Sequence, residues 1–273
     1  MPELPEVEVI REGLSPLLLG RTITKITFSN KRLRLPVPTD EIIRLIKGQK
    51  ISEVRRRAKY LVIVMRNGSK LIIHLGMTGK LRILPVRNSL ARHDHLRFQL
   101  DNNMDLRFND TRRFGSIQIL NPDADEQAFF GALGPEPLGK KLTAKYLQDK
   151  AGNRSQPVKN FLMDSHVVVG IGNIYANEIP FAAGIPPQRQ IGKISLHEWQ
   201  KIIRQTRRIL NNAIAAGGST IADFIGANGK PGYFQLQLKV YGRAKQPCPV
   251  CGQEIQKTVM AGRATFWCPK CQK

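Results

Sequence analysis

All four cysteines of this chain fall within its last 26 residues, spaced Cys248-x2-Cys251-x16-Cys268-x2-Cys271. Two thiol pairs with this spacing either bridge as two disulfides or close around one tetrahedral metal ion. Disulfides need an oxidising compartment. The first ten residues, MPELPEVEVI, carry three glutamates and no basic residue, unlike the basic start and apolar segment of a secretory signal. One structural Zn²⁺ in a cytoplasmic, nucleoid-associated and non-secreted chain is therefore the expectation. Four sulfur ligands leave no coordination position for water, so this metal holds structure and no catalytic metal is expected; no organic cofactor is expected either. Residues 254–260 and 263–267 alternate like strands around Ala261-Gly262, which predicts a β-hairpin finger with Arg263 near its tip. That arginine is either an ordinary exposed side chain or one that clamps a phosphate.

The rest of the chain changes its period once. Leu4, Val7, Ile10, Leu14 and Leu17/Leu18 recur every three or four residues, so a helix opens near residue 2, with Pro2 and Pro5 in its first turn, and stops at Gly20. Six segments then read as strands: 22–28, 60–66, 71–75, 95–100, 105–109 and 116–120. A helix at 40–47 interrupts them. Asn67-Gly68 is expected to be a two-residue hairpin turn with positive φ, and 101–103 to close another. These signals describe a β-sandwich or barrel with one or two helices. The run GALGPEPLG at 131–139 reads as a hinge, followed by helices at 143–150, 158–163, 174–183 and 195–216, the last opened by a Ser195/Glu198 capping box. The class is α+β.

Charge points to a partner. The chain has 43 Lys+Arg against 21 Asp+Glu, a formal charge of +22. Such a surplus attracts polyanions, nucleic acid first, with a ribosomal role, a membrane-surface role or simple solubility as the alternatives. The surplus is 8 over residues 1–136 and 14 over 137–273. The longest unbroken apolar stretch, 60–65, is far too short to span a bilayer.

Several motifs carry chemistry. Gly170-Ile171-Gly172-Asn173 precedes a helix, where free N–H groups and the dipole favour phosphate, although many helix-to-helix turns also contain glycine. Basic residues interleave with aromatics at 55–60 and at Arg112-Arg113-Phe114; either run is a solvated strand edge or a surface for stacked bases. Pro2 and Glu3 are good first-turn residues. If Met1 is removed, however, Pro2 becomes a secondary α-amine, with a reference pKa of about 7.7–8.0 against about 10.4 for lysine. A neutral amine beside a carboxylate suits Schiff-base chemistry.

Taken in order, these pieces resemble the bacterial formamidopyrimidine-DNA glycosylases, the 8-oxoguanine DNA glycosylases. The resemblance rests on Pro2-Glu3-Leu4-Pro5-Glu6-Val7-Glu8, Arg56-Arg57-Ala58-Lys59-Tyr60, His74-Leu75-Gly76-Met77, His93-Asp94-His95 and Arg112-Arg113-Phe114-Gly115. It continues through Leu133-Gly134-Pro135-Glu136-Pro137, Gly172-Asn173-Ile174-Tyr175, Gly229-Lys230-Pro231-Gly232-Tyr233, Val240-Tyr241-Gly242 and the finger. It implies an N-terminal β-sandwich with a flanking helix (1–134), a helix-two-turn-helix module with a lesion-capping loop (135–235, the loop at 217–235) and a four-cysteine zinc finger (236–273). Damaged double-stranded DNA would bind a monomer in the cleft between the two domains. By resemblance, Pro2 would attack C1′ and form the Schiff base, with Glu3 as proton donor and Glu6 as a supporting carboxylate. Lys59 would serve β-elimination and Arg263 δ-elimination. Met77, Arg112 and Phe114 would fill the void left by an extruded nucleotide, and His74, His93, Arg154, Lys159, Asn173, Tyr241 and Arg263 would hold phosphates. Thr111 departs from the pattern, since many relatives have proline there.

Two rivals accompany this reading. The endonuclease VIII branch shares Pro2, Glu3 and the finger but prefers oxidised pyrimidines; Met77 with Arg112 and Phe114, and the long loop, favour the purine branch. A non-catalytic zinc-ribbon nucleic-acid-binding protein would explain the charge and finger but leave Pro2, Glu3 and Lys59 without a purpose.

Overall fold

Helix α1 (Leu4–Leu18) forms because Leu4, Val7, Ile10, Leu14 and Leu18 make one apolar stripe, and all five are buried. It begins later than its period suggests. Glu3 is the N-cap, so Pro5 lies in the first turn and Pro2 just outside it. The expectation that both prolines belong to that turn is thus corrected. Glu6 outcompetes Pro2 as the start signal because its side chain reaches back to the Glu3 N–H.

Eight strands follow: β1 (Ile23–Phe28), β2 (Ile51–Arg57), β3 (Tyr60–Met65), β4 (Lys70–His74), β5 (Gly79–Pro85), β6 (Asp94–Leu100), β7 (Met104–Asp110) and β8 (Ser116–Leu120). Helix α2 (Thr39–Ile46) lies between β1 and β2. The strands make two four-stranded antiparallel sheets, ordered β1-β6-β7-β5 and β2-β3-β4-β8. Leu61, Ile63, Leu71 and Ile73 from one sheet join Phe98, Leu106 and Phe108 from the other, with Leu14, Leu18, Ile42 and Ile46 of the helices, in one core. Each such side chain contributes roughly 1.5–3 kcal/mol by leaving water.

Two strands escape the sequence pattern. In β2 a register shift between Ile51 and Glu53 puts the inward residues Ile51 and Val54 three apart, which breaks the period of two. β5 has only Leu81 buried among its large apolar residues, too few to make a pattern. The Asn67-Gly68 turn is also corrected. Met65 pairs with Ser69 through a 2.8 Å N–H···O bond and only Gly68 takes positive φ, +87°, so the loop has three residues and ends in the left-handed bulge residue. The 101–103 turn follows the same scheme, with Asn103 at φ +60°.

A second unit starts at Phe130, and the 131–139 segment belongs to it: the Gly134 N–H donates to Ser165 at 2.8 Å. Helices α4 (Ala144–Ala151), α5 (Val158–Met163), α6 (Tyr175–Ala183) and α7 (Leu196–Ala215) follow the short α3 (Glu126–Phe130). Phe161, Tyr175 and Trp199 are fully buried at their centre, with the Phe161 and Trp199 rings 5.6 Å apart. Ser195 and Glu198 form the expected capping box on α7. Strands β9 (Gln256–Met260) and β10 (Arg263–Trp267) pair around Ala261 and Gly262, both with positive φ. The computed structural model describes residues 2–217 and 238–273, so the expected capping loop, beyond Gly217, lies outside the described residues.

Candidate functional site

The N-terminal carboxylates are built into the start of α1. Glu3 and Glu6 are 1% and 2% exposed, and the Glu6 carboxylate accepts the Glu3 N–H at 2.8 Å. That bond satisfies one of the orphan donors of the helix start and fixes the backbone of residue 3. Pro2, partly buried, stands immediately before it. Burial keeps competing water away from both carboxyl groups. A pair so placed can hold a proton and release it to a nearby atom.

Lys59 occupies a two-residue turn between β2 and β3, where Arg57 faces Tyr60 and Ala58 takes φ +55°. Arg56 straps this tip to α1: its Nη1–H donates to the Ala58 carbonyl at 2.9 Å and its Nε–H to Glu8 at 2.6 Å. The basic run 55–60 is therefore not one surface. Arg55 pairs with Glu126, Arg56 with Glu8, and Lys59 stands at the turn. Sequence reasoning missed Arg56 and Glu8 as positioning residues, and nothing short of their spatial pairing marks them.

His74 faces Tyr60 across the β3–β4 ladder, ring centroids 4.9 Å apart. Burial, then the charges of Lys59 and Arg34, push its pKa down to about 4. Its Nδ1 accepts the Gly76 N–H at 3.0 Å. The imidazole is neutral at pH 7 with its hydrogen on Nε2, a donor that suits a phosphate oxygen. Nearby in the chain, Met77 and Phe114 are among the few large apolar side chains left exposed, at 41% and 44%. The Arg112 guanidinium lies 4.7 Å from the Phe114 ring centroid, so cation and ring form one projecting unit. His93 is partly buried, with its ring 6.4 Å from that of His95.

The four cysteine sulfurs lie within 4.8 Å of one another. Cys248 to Cys271 is 3.8 Å and Cys251 to Cys268 is 3.5 Å, far beyond a disulfide's length of about 2.05 Å. A tetrahedron with Zn–S bonds of about 2.3 Å has edges of about 3.8 Å. These thiols fit a structural Zn²⁺, which supplies a cross-link and leaves the chemistry to other residues.

Helices α5 and α6 hold the finger hairpin from behind. The Lys159 Nζ donates to the Ala264 carbonyl (3.0 Å) and the Thr265 hydroxyl (2.7 Å), and Asn173 Nδ2 donates to the same carbonyl at 3.2 Å. Asn177 accepts the Phe266 N–H at 2.6 Å, and Glu178 accepts the backbone N–H groups of Lys239, Val240 and Tyr241. The Tyr241 ring lies 5.4 Å from Phe266. Lys159, Asn173, Tyr241 and exposed Arg263 thus share one frame. Arg154, also exposed, instead rests 5.4 Å from the Phe161 ring on the approach to α5. Lys159 differs from a free surface cation: it is fully buried, and burial together with the charge of Arg263 lowers its pKa to about 8. Asn177 and Glu178 were missed; two adjacent polar residues inside the apolar run 174–181 were the available signal.

Three family models match: the formamidopyrimidine-DNA glycosylase N-terminal domain at residues 1–117, its H2TH domain at 133–225, and the zinc finger found in FPG and IleRS at 245–273. Formamidopyrimidine-DNA glycosylases of Acidithiobacillus ferrooxidans and Stenotrophomonas maltophilia are each 47% identical over 273 residues, covering all of both chains. Among solved structures, wild-type Lactococcus lactis Fpg with an N7-benzyl-Fapy-dG containing DNA matches with TM-score 0.91 at 32% identity over 100% of both chains. The same organism's Fpg with an abasic site containing DNA matches with TM-score 0.90 at 31% identity over 99% of both. Its complex with an oxidised pyrimidine containing DNA matches at TM-score 0.90 and 32% identity over 100% of both. By sequence over its whole length and by fold, the chain belongs to the formamidopyrimidine-DNA glycosylase family.

Proposed function

We infer that the protein is a base excision repair glycosylase that removes oxidised purines, 8-oxoguanine and formamidopyrimidines, from duplex DNA and then cleaves the strand at the abasic site. The observation that carries this reading is the buried Glu3–Glu6 arrangement directly behind Pro2 in a chain of this family. With Met1 removed, the Pro2 nitrogen attacks C1′ and the glycosidic bond breaks, its electrons leaving with the base, which takes up the proton of Glu3. The Glu3 carboxylate then takes the N–H proton from the nitrogen, whose lone pair forms the C1′=N⁺ bond as O4′ departs with that proton returned by Glu3, and Glu6 keeps residue 3 in place. Lys59 accepts the C2′ proton so that the 3′ phosphate leaves, loss of the C4′ proton to solvent then expels the 5′ phosphate with Arg263 assisting, and water releases Pro2 from the imine.

C1′ is shielded in a stacked duplex, so the nucleotide must be extruded. Met77 and Phe114 replace the lost stacking, while Arg112 addresses the orphaned base. His74, His93, Arg154, Asn173, Tyr241 and Arg263 hold phosphates, while Lys159, expected from the sequence to join them, is fully buried and instead braces the hairpin that carries Arg263 and adds its charge from behind. Residues 1–134 serve catalysis, 135–235 DNA binding and lesion capping, and 236–273 form the finger. The protein works as a monomer in the cytoplasm; among the described residues, no helix is long and apolar enough to cross a membrane.

Two tests separate this reading from its rivals. Borohydride is expected to trap Met1-processed protein on lesion-containing duplex, with the adduct lost when the residue 2 nitrogen is blocked by a retained formyl-Met1; an undiminished adduct in that form would exclude Pro2 as nucleophile. Excision of 8-oxoguanine opposite cytosine should outpace excision of thymine glycol, and the reverse order would favour the pyrimidine branch.

DNA affinity should also depend on pH through Lys159. Its pKa is lowered to about 8, so it is cationic below that pH and loses its charge as pH rises through it. Affinity at constant salt is expected to fall between pH 7 and 9, by up to about tenfold per pH unit for a single linked proton. Lys159→Arg, which stays charged, should flatten that part of the fluorescence-anisotropy profile. An unchanged slope in the variant would assign the dependence to another group.

A further inference from the structure

Asp110 ends β7 fully buried and takes no part in the chemistry above. Its backbone and carboxylate reach three segments at once. The Asp110 N–H donates to the His93 carbonyl at 3.0 Å, and His95 Nε2–H donates to the Asp110 carbonyl at 2.8 Å. One carboxylate oxygen accepts the Thr78 hydroxyl and, at 3.2 Å, the Arg112 N–H. The other accepts the Gly115 N–H at 2.8 Å. The Arg112 N–H also donates to the Thr78 hydroxyl oxygen at 3.1 Å, which closes the ring of bonds.

These segments bear the exposed side chains Met77, Arg112 and Phe114. Their backbones touch: a Cβ on Gly76 would lie 2.4 Å from the Phe114 carbonyl carbon, and one on Gly115 would lie 2.9 Å from the His74 carbonyl oxygen. Arg113 takes φ +57°, a left-handed conformation that a residue with a side chain holds only when its surroundings impose it. Thr111 lacks the ring that would stiffen this loop locally. A buried carboxylate with three donors converging on it, two of them backbone N–H groups of that loop, supplies the constraint instead.

We propose that Asp110 is a positioning residue whose carboxylate locks the Met77 and Arg112–Phe114 loops at one spacing, so that the three side chains enter a duplex as a single wedge. The proposal rests on the DNA-repair reading above. Asp110→Asn keeps the shape but replaces one acceptor oxygen with an NH₂ group, which cannot take a backbone N–H.

The test compares single-turnover excision of 8-oxoguanine opposite cytosine in duplex with borohydride trapping at an abasic site in a single-stranded oligomer, where there is no stack to open. In Asp110→Asn, duplex excision is expected to fall about 10- to 100-fold, the effect of a small misplacement, while single-strand trapping changes by less than about twofold. In a Phe114→Ala background, where the wedge is already blunt, Asp110→Asn should add less than about twofold. Equal losses in both assays, or losses that multiply with Phe114→Ala, would overturn the positioning role. If Asp110→Asn does not fold, Thr78→Val removes another member of the same ring of bonds and should give the same pattern with smaller amplitude; equal losses there overturn the proposal too. A wild-type protein inert on both substrates overturns the repair reading itself, and is distinguishable because it precedes any comparison of variants.

Discussion

Glu3→Gln is expected to abolish base release, lowering single-turnover excision by about 10²- to 10⁴-fold, the range that positioned proton transfer supplies. Duplex binding should stay within about twofold in the same protein, since a neutral side chain replaces a buried group that touches no phosphate in this reading. The carboxamide has nearly the shape of the carboxylate and Glu3 is only 1% exposed, so packing is conserved. The bond from the residue 3 N–H to Glu6 involves the backbone and survives, which keeps α1 capped. What disappears is the ability to carry a proton. A loss of binding as large as the loss of excision would show that Glu3 matters for folding or docking. Normal turnover would remove Glu3 from the mechanism altogether.

The parts of this molecule that were legible in its sequence are those whose signal is local. Cysteine spacing announces the finger, the three- and four-residue period announces α1 and α7, and Ser195 with Glu198 marks a helix start at the right residue. Signals fail where two local rules compete or where the partner is remote. Pro2 has the backbone for a first turn, yet Glu6 caps one residue later and leaves Pro2 outside. Asn67-Gly68 has the composition of a two-residue turn, but the strands meet at Met65 and Ser69, which requires three. The bulge in β2 erases a period of two. Lys59 stands out only through the family resemblance, and the Arg56–Glu8 pair that ties its turn to α1 spans 48 residues and has no local signature. Lys159 reads in the sequence as a phosphate-seeking cation; its burial follows from Ala264 and Thr265, more than a hundred residues away. Side chains that meet a substrate are thus easier to read from sequence than the buried groups that aim them.

Stripping the metal from the four thiols is expected to lower DNA affinity by about 30-fold or more, the combined loss of the charges of Arg263 and Lys159 at roughly 1–3 kcal/mol each. The finger cannot hold itself together otherwise. Its own buried cluster amounts to Val240, Ile255, Phe266 and two of the cysteines, packed against Phe181 of α6. So small a core does not offset the entropy of ordering the segment, whereas structural zinc contributes about 10–16 kcal/mol in comparable fingers. Once the hairpin loosens, Arg263 is no longer presented. Lys159 loses both acceptors of its ammonium group, and Asn177 loses the Phe266 N–H. A buried ammonium without partners is costly, so the disturbance should spread into α5 and α6 while the two sheets of the first unit, which share no core residue with the finger, keep their strand signal. The measurement is chelator treatment at neutral pH followed by anisotropy with duplex DNA, with released zinc counted at one ion per chain, and Cys268→Ser as the genetic equivalent. Undiminished affinity after proven metal loss would mean that the hairpin stays folded on its contacts with α5 and α6 alone, and would shift the finger's role from scaffold to ornament on a frame that Lys159 and Asn177 already fix.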